Sequence, residues 1–570
     1  MTLEIPRPLE IILVILLFGL ALWARLPGLD RFATADEPYW VTRSANFYYA
    51  IGQRDFAATF QREHPGVTTM WAGTFGMLLE FPEYRGTGVG QIDIDTHESV
   101  FAEFGHQAKD VLAAGRLFVV LGIVSALAIS YLYARRLFGV PAALAGYALL
   151  LLDPFYIGLG RLLHTDAIQA TTMLLSALAF LYFLLQGRKT PHLLLSAVAG
   201  GLAWLTKSPG LFLLPFLALI LLIDLLQQLR EPDHPALGRL LWGSIWPFLL
   251  WGMFAGLTFW LLWPAMWVQP LDSLKRVIDM GLLSSSTGHT SPMFFNGERI
   301  LSGSIGLEYW YYYPLTFLWR TTPLILLGLA LAAAGFVFKL APFDRAAVRR
   351  TIVALLLYAF FYGIMVTIST KKGDRYFLPA SVMLDLIAGA GWGALGLFIA
   401  ARVHERWRSW VNVGLISLVL AVSALYALPT RPYYLSYYNP LLGGGRRAPE
   451  VMSIGWGEGL DQAARYLNEL PEPENQVVTV WYDVGPFSYY YDGQTRYIPI
   501  VETLDLDRLE RLLKSDYAVI YIHQWQRDIP DNLLDILAKE TPVYTVMIND
   551  IAYAQIYDLH NGALIPAGSQ

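Results

Sequence analysis

The sequence predicts an α-helical polytopic membrane protein with a small soluble α/β domain at its C-terminal end. Three observations carry that reading. Of 570 residues, 55% are hydrophobic and only 15% charged, against about 25% charged in typical soluble domains, and the mean hydropathy is +0.43. Apolar stretches of the roughly 20 residues needed to cross hydrocarbon begin near Leu9, Val111, Val140, Leu162, His192, Leu211, Leu241, Thr322, Thr351, Tyr376 and Trp410, which makes about eleven spans. The charge is also divided: from Arg431 onward there are 10 basic and 19 acidic residues, while the rest of the chain is net positive. Whole function classes drop out with the composition. Without cysteine there is no disulfide, thiol nucleophile, iron–sulfur cluster or cysteine zinc site. A net charge of -5 argues against nucleic acid as a partner.

Taken in order, the first apolar stretch has the length of a signal peptide but no small-x-small cleavage site after it, so it is expected to stay as an anchor. The stretch around residues 70–81 is apolar enough to leave the span count uncertain by one. Short loops alternate in charge. One set holds Arg135, Arg136, Arg188, Lys189, Arg230, Arg239, Lys339, Arg345, Arg349, Arg350, Arg402, Arg406 and Arg408. The positive-inside rule assigns that set to the cytoplasm. An odd number of spans then puts the N-terminus in the cytoplasm. Residues 25–110, 264–321 and the whole tail fall outside the cell membrane. The expected division is a membrane domain over 1–428, including those two outer loops, and an extracytoplasmic α/β domain over 429–570. In the tail, "VVTVWY", "YAVIYIH" and "PVYTVMI" read as strands, and "LDRLERLLK" and "DNLLDILAK" have helical spacing. No glycine-rich phosphate loop opens either helix, and no internal repeat is visible.

The residues capable of chemistry all fall on the outer face. "ATADEPYW" carries the adjacent carboxylates Asp36 and Glu37 before Pro38, a pattern equally at home at an ordinary helix start. "REHPGV" places His64 in a loop, where a histidine is commonly just solvated. "GRLLHTDA" sets Arg161, His164 and Asp166 at the end of a span; a carboxylate there needs a partner, and the arginine and histidine would serve as one. "LTKSPG" puts Lys207 at a helix end, and "STKKGDRYFLPA" packs Lys371, Lys372, Arg375 and Tyr376 into one short loop. Clustered cations on the outer side run against the charge bias, and they call for an anion, either a lipid headgroup or a specific phosphate ligand. Carboxylates beside cations suit group transfer from a phosphorylated lipid. The carboxylate takes a proton and the cations stabilise the departing phosphate. Trp310, Tyr311, Tyr312 and Tyr313 would stack on a sugar or form an interfacial belt. Asp385, well inside a span, reads as a polar packing residue.

The ordered series "ADEPYW", "HPG", "RLLHTDA", "LTKSPG" and "DRYFLPA" resembles the integral-membrane GT-C glycosyltransferases, in particular the protein O-mannosyltransferase-like family with its lipid A aminoarabinose transferases. The resemblance covers about the first 400 residues. It implies a polyprenyl-phosphate sugar donor, transfer usually with inversion, and an acceptor hydroxyl on protein, lipid or cell-envelope glycan. It also implies Asp36 as general base with Glu37 beside it. Lys207, Lys372 and Arg375 match the family's donor-phosphate contacts, with Lys371 in the same loop. Asp166 matches the carboxylate opening the fourth span, and His64, Arg161, His164 and Tyr376 are expected near donor or acceptor. His-Pro-Gly at His64 matches neither the lysine-proline of the aminoarabinose branch nor the His-Pro-Pro of the mannosyltransferases, so the branch stays open. No cofactor is expected. Asp36, Glu37, His64 and Asp166 leave a divalent ion open, although no His-x-x-x-His spacing is present. The rival reading is a transporter or flippase of a lipid-linked sugar; repeat symmetry and functional groups near mid-membrane would mark it.

Overall fold

The computed structural model describes residues 5–286, 288–289 and 291–560, so the last ten residues of the expected tail domain lie outside the described residues. All eleven predicted apolar stretches form helix, but not eleven full spans. Eight helices among the described residues are long and apolar enough to cross a membrane, starting with Arg7–Arg25 and Ala108–Phe138 and ending with Asp374–Ala400 and Glu405–Thr430. The segment near Thr322 belongs to a pair, Tyr312–Arg320 and Pro323–Val337, bent by 114°. Val140–Leu151 and Thr190–Thr206 are apolar helices of 12 and 17 residues, short of the spanning length. Hydropathy along the sequence detects apolarity; it does not detect where a proline or glycine cuts the helix.

Two spans form the centre of the bundle. Thr165–Leu185 is 83% buried over its apolar window and Asp374–Ala400 is 72% buried, against 28% for Arg7–Arg25. Small residues let the central helices close in. A Cβ on Gly389 would stand 2.0 Å from the Cα of Gly146 on Val140–Leu151, so only a hydrogen fits between the two backbones. Asp385 on the same span is buried, and among the described residues neither of its oxygens accepts a hydrogen bond.

The loop before Ala108 is itself folded. Glu37–Gln53 starts with Pro38 in its first turn, and Val67–Glu80 packs against it. The second loop holds a ribbon of β1 (Met293–Phe295) and β2 (Glu298–Ile300). After the last span the chain runs back over the loops. Tyr434 donates to the Ala24 carbonyl at 2.7 Å and the Asn439 side chain donates to Leu318 O at 2.9 Å. It then forms a mixed five-stranded sheet of β3 (Val477–Val480), β4 (Gln494–Tyr497), β5 (Tyr517–Tyr521), β6 (Tyr544–Ile548) and β7 (Ile551–Asp558), in the order β4-β3-β5-β7-β6. β3 pairs in parallel with β4 and β5, and β7 runs antiparallel to β5 and β6. One face of the sheet is covered by Leu506–Leu513 and Asp531–Leu537, whose leucines form a separate small core with Ile520. Val480, Tyr521 and Ile556 on the other face join the core that continues into the loops and the bundle.

Candidate functional site

Six of the predicted residues meet where the first loop, two span ends and the late basic loop converge. Asp36 stands at the start of Glu37–Gln53, yet its side chain caps nothing. Its carboxylate lies 3.4 Å from His164 Nε2 and 3.3 Å from Arg375 Nη2. His164 stands at the start of the span Thr165–Leu185, with its Nδ1 turned to the Asp166 carboxylate. Asp166 is nearly fully buried and holds three cations: Lys207 Nζ at 2.7 Å, Arg375 Nε at 3.1 Å and His164 Nδ1 at 3.3 Å. Lys207 ends Thr190–Thr206 and sits 4.4 Å over the Tyr376 ring. Asp36 and Lys207 are thus 171 positions apart in sequence and joined through a single buried carboxylate and its partners.

The electrostatics follow from that arrangement. Burial disfavours the Asp36 carboxylate, but the His164 hydrogen bond and the Arg375 guanidinium outweigh it and hold the group well below the usual carboxylate range. Burial likewise disfavours the His164 cation, and Asp166 and Asp36 more than compensate, so its pKa is raised and the imidazolium is favoured. Two carboxylates against an imidazolium, an ammonium and a guanidinium leave one positive charge, which suits a bound anion.

The cluster opens onto a cavity of about 730 Å³. Asp36, Arg375 and Tyr376 line it from the bundle side, Tyr312 from the second loop, and Trp456 from the tail. Trp456 went unnoticed in the sequence. Its indole lies over the Arg375 guanidinium at 4.0 Å and 4.9 Å from the His164 ring. Two backbone features fix it there: its carbonyl accepts the Ala35 amide at 2.9 Å, and Gly457 turns the chain at φ 130°, where a Cβ would stand 2.2 Å from the Ala33 carbonyl. The motif "GWGE" was the available signal, a tryptophan between glycines.

Other predicted residues are placed differently. Glu37, expected beside the base, is fully buried on the far side of the helix start. It accepts from Arg116 Nε at 2.7 Å, from the Leu163 amide at 2.8 Å and from the Thr34 amide at 2.8 Å, so it positions the loop and does not face the cavity. Arg161, expected at donor or acceptor, spends its guanidinium on the backbone carbonyls of Pro27 at 2.9 Å, Gly28 and Pro432 at 3.4 Å. Lys372 lines the cavity, but its ammonium is turned to the carbonyls of Thr367 at 2.6 Å and Ser369 at 2.8 Å. Burial brings it down to about 8. Lys371 forms no ion pair among the described residues. His64 lies outside the cavity lining and 3.5 Å from Ser208 Oγ. Burial, then Lys207, Arg62 and Lys371, lower it to about 4, so it is neutral. Of the four aromatics at 310–313, Tyr312 alone lines the cavity; Trp310 is 66% exposed. Among the described residues no group of three or more His, Asp and Glu is arranged to hold a metal ion.

The site's setting is matched elsewhere. Residues 101–261 match the dolichyl-phosphate-mannose-protein mannosyltransferase family, which bears out the resemblance seen in the motifs. No curated protein matches the chain by sequence. Among solved structures, ArnT from Cupriavidus metallidurans bound to undecaprenyl phosphate is 18% identical over 98% of this chain and 99% of that one, with a TM-score of 0.46. The apo oligosaccharyltransferase of Archaeoglobus fulgidus is 11% identical over 91% and 70%, TM-score 0.45. The S. cerevisiae protein O-mannosyltransferase complex Pmt1-Pmt2 bound to the sugar donor is 16% identical over 46% and 34%, TM-score 0.34.

Proposed function

We propose that the chain is a membrane glycosyltransferase that moves a sugar, hexosyl or pentosyl, from a polyprenyl-phosphate donor to an acceptor hydroxyl by a single inverting displacement, on the outer face of the cell membrane. One observation carries the reading. Asp36 opens onto the cavity with its side chain 41% exposed, Arg375 lines the same cavity 3.3 Å from it, and Lys207 joins the cluster through Asp166.

The donor phosphate lies against Lys207 and Arg375, with its polyprenyl chain along the apolar span ends. The bond from the anomeric carbon to the phosphate oxygen breaks as the acceptor oxygen bonds to that carbon. The two electrons of the broken bond remain on the phosphate, where the net positive cluster stabilises them. The acceptor proton passes to Asp36. Paired as it is, Asp36 is a weak base. The hydroxyl acidifies only as its new bond forms, so an ionised carboxylate at the right place is sufficient. Asp166 keeps Lys207, His164 and Arg375 in register. The basic loop set then lies in the cytoplasm with the N-terminus, and the tail domain is extracytoplasmic.

The test is Asp36→Asn in nanodiscs, assayed with labelled polyprenyl-phosphate sugars. Donor binding persists and sugar release stops. A variant that still transfers at the parental rate removes Asp36 from the mechanism.

A further inference from the structure

The tail domain supplies a whole wall of the cavity, and its strand order determines what that wall contains. β4, β3 and β5 lie parallel and adjacent, and the residues at or just after their C-terminal ends line the cavity: Tyr497 from β4, Trp481 and Tyr482 after β3, His523 and Arg527 in the helix Ile522–Arg527 that follows β5. In open α/β sheets that edge is where ligands bind, because the strand ends leave a crevice between diverging loops.

Arg527 is the unusual member. The other cavity arginines are compensated: Arg375 by Asp36 and Asp166, Arg320 by Asp374 at 2.7 Å. Arg527 has no carboxylate within ion-pair distance and donates no hydrogen bond among the described residues, and its Nε is completely buried. Its guanidinium lies 6.0 Å from the Trp481 ring, its one aromatic contact. Tyr482 Oη and His523 Nδ1, 2.9 Å apart, stand next to it. Burial, then Arg527, pushes His523 well below its ordinary value, and burial takes His289 across the cavity to about 4 with Lys371, Arg375 and Arg527 adding to it. Both imidazoles are neutral, and the guanidinium is the wall's cation, with the tail carboxylates Asp483 and Glu458 also lining the cavity. Asp95 lines it as well, and among the described residues none of these three carboxylates forms an ion pair with Arg527 or Arg375. A guanidinium with a buried Nε and no carboxylate partner is unfavourable; a planar fork of donors beside aromatic rings is what a phosphate or carboxylate needs.

We propose that the strand-end wall of the tail domain is an anion subsite, in which Arg527 takes a phosphate or carboxylate group carried by the acceptor, away from the hydroxyl that receives the sugar. The proposal rests on the transferase reading for the word acceptor, and it makes the acceptor an anionic molecule, a phosphorylated or acidic glycan or lipid. Tyr482 lines the same cavity as Asp36, Arg375 and Arg527.

The probe is glycerol 3-phosphate, with glycerol as its neutral control, observed by saturation-transfer NMR on the full chain in phosphatidylcholine nanodiscs. Wild type is expected to bind the phosphate ester and not glycerol, and to keep doing so with undecaprenyl phosphate loaded in the disc. Arg527→Gln weakens binding at least tenfold, and Arg527→Lys only a few-fold. Equal signals from glycerol, displacement by undecaprenyl phosphate, or unchanged binding in Arg527→Gln each overturn the proposal; displacement assigns the anion to the donor. The first two comparisons need no variant, so they decide even if Arg527→Gln fails to fold. Sugar transfer by wild type, assayed beside the NMR, separates the two readings: anion binding without any transfer sinks the transferase and leaves the subsite.

Discussion

Asp36 and Glu37 are neighbours in sequence and occupy opposite regions of the molecule. Asp36 faces a cavity, is 41% exposed, and meets its partners at 3.3–3.4 Å. Glu37 faces the interior, is completely buried, and has its oxygens taken up by Arg116, two amides and the Thr34 hydroxyl. A helix turns about 100° per residue, so adjacent carboxylates at a helix start necessarily point apart. What differs is saturation. The buried carboxylate has no lone pair left for a substrate, and the exposed one, though paired with His164 and Arg375, still faces the cavity.

That contrast is broken most directly by exchanging each carboxylate for its amide. Asp36→Asn should cost turnover on the order of 10²–10⁴-fold, the usual contribution of a positioned general base, with a melting temperature near wild type. Glu37→Gln should leave Arg116 buried without its counter-charge, at a cost of about 3–5 kcal/mol of stability, read as a lower unfolding midpoint; such turnover as the folded fraction retains should have an unchanged pH profile. A Glu37→Gln protein that is fully stable but inactive would reverse the assignment. Because Asp36 is held below its ordinary 3.8, the acid limb of activity that it sets should lie below that pH, and a limb near neutrality would belong to another group.

A smaller effect concerns the tail's contact with the cluster. Trp456→Ala removes the ring over Arg375, a contact worth about 0.5–2 kcal/mol. The expected reading is donor binding weaker by about twofold to about thirtyfold, with turnover at saturation little changed.

A separate effect is a pH dependence of stability. His64 is lowered to about 4 from 6.5, so between those values the unfolded chain binds the proton more readily than the folded one, and stability falls as pH drops through that window. His164, raised by its two carboxylates, works in the opposite sense: its contribution is present below 6.5 and is lost as pH rises through its folded value. Comparing wild type with His64→Gln isolates the first. The difference in unfolding midpoint should grow from pH 6.5 towards pH 4, and a constant difference across that range would mean His64 is solvated after all.

Much of this architecture could be read from the chain. Every apolar stretch became a helix, because twenty apolar residues have few other ways to satisfy their backbone in a membrane. The strands at 477–480, 517–521 and 544–548 and both tail helices lie where the alternation placed them. β4 and β7 were overlooked. β4 is four residues of mixed polarity, and β7, "IAYAQIYD", has no clean alternation since it is buried on both faces in places. In the site, Asp36, Asp166, Lys207 and Arg375 were identifiable because charge at the end of an apolar span is conspicuous. Arg161 and Lys372 were equally conspicuous and turned out to hold backbone carbonyls. Trp456 carried only the weak signal of a tryptophan between glycines, and Arg527 carried none, being an ordinary residue of a soluble tail.

The amino-acid order alone determined the membrane class, the elements of the tail and which ionisable side chains reach the loop end of the bundle, since those follow from local hydrophobicity and period. Only the folded arrangement decided which of those charges are spent on neighbours and which are left for a ligand. Pairing is a contest between groups hundreds of positions apart, settled by distances of about 3 Å that no local pattern encodes.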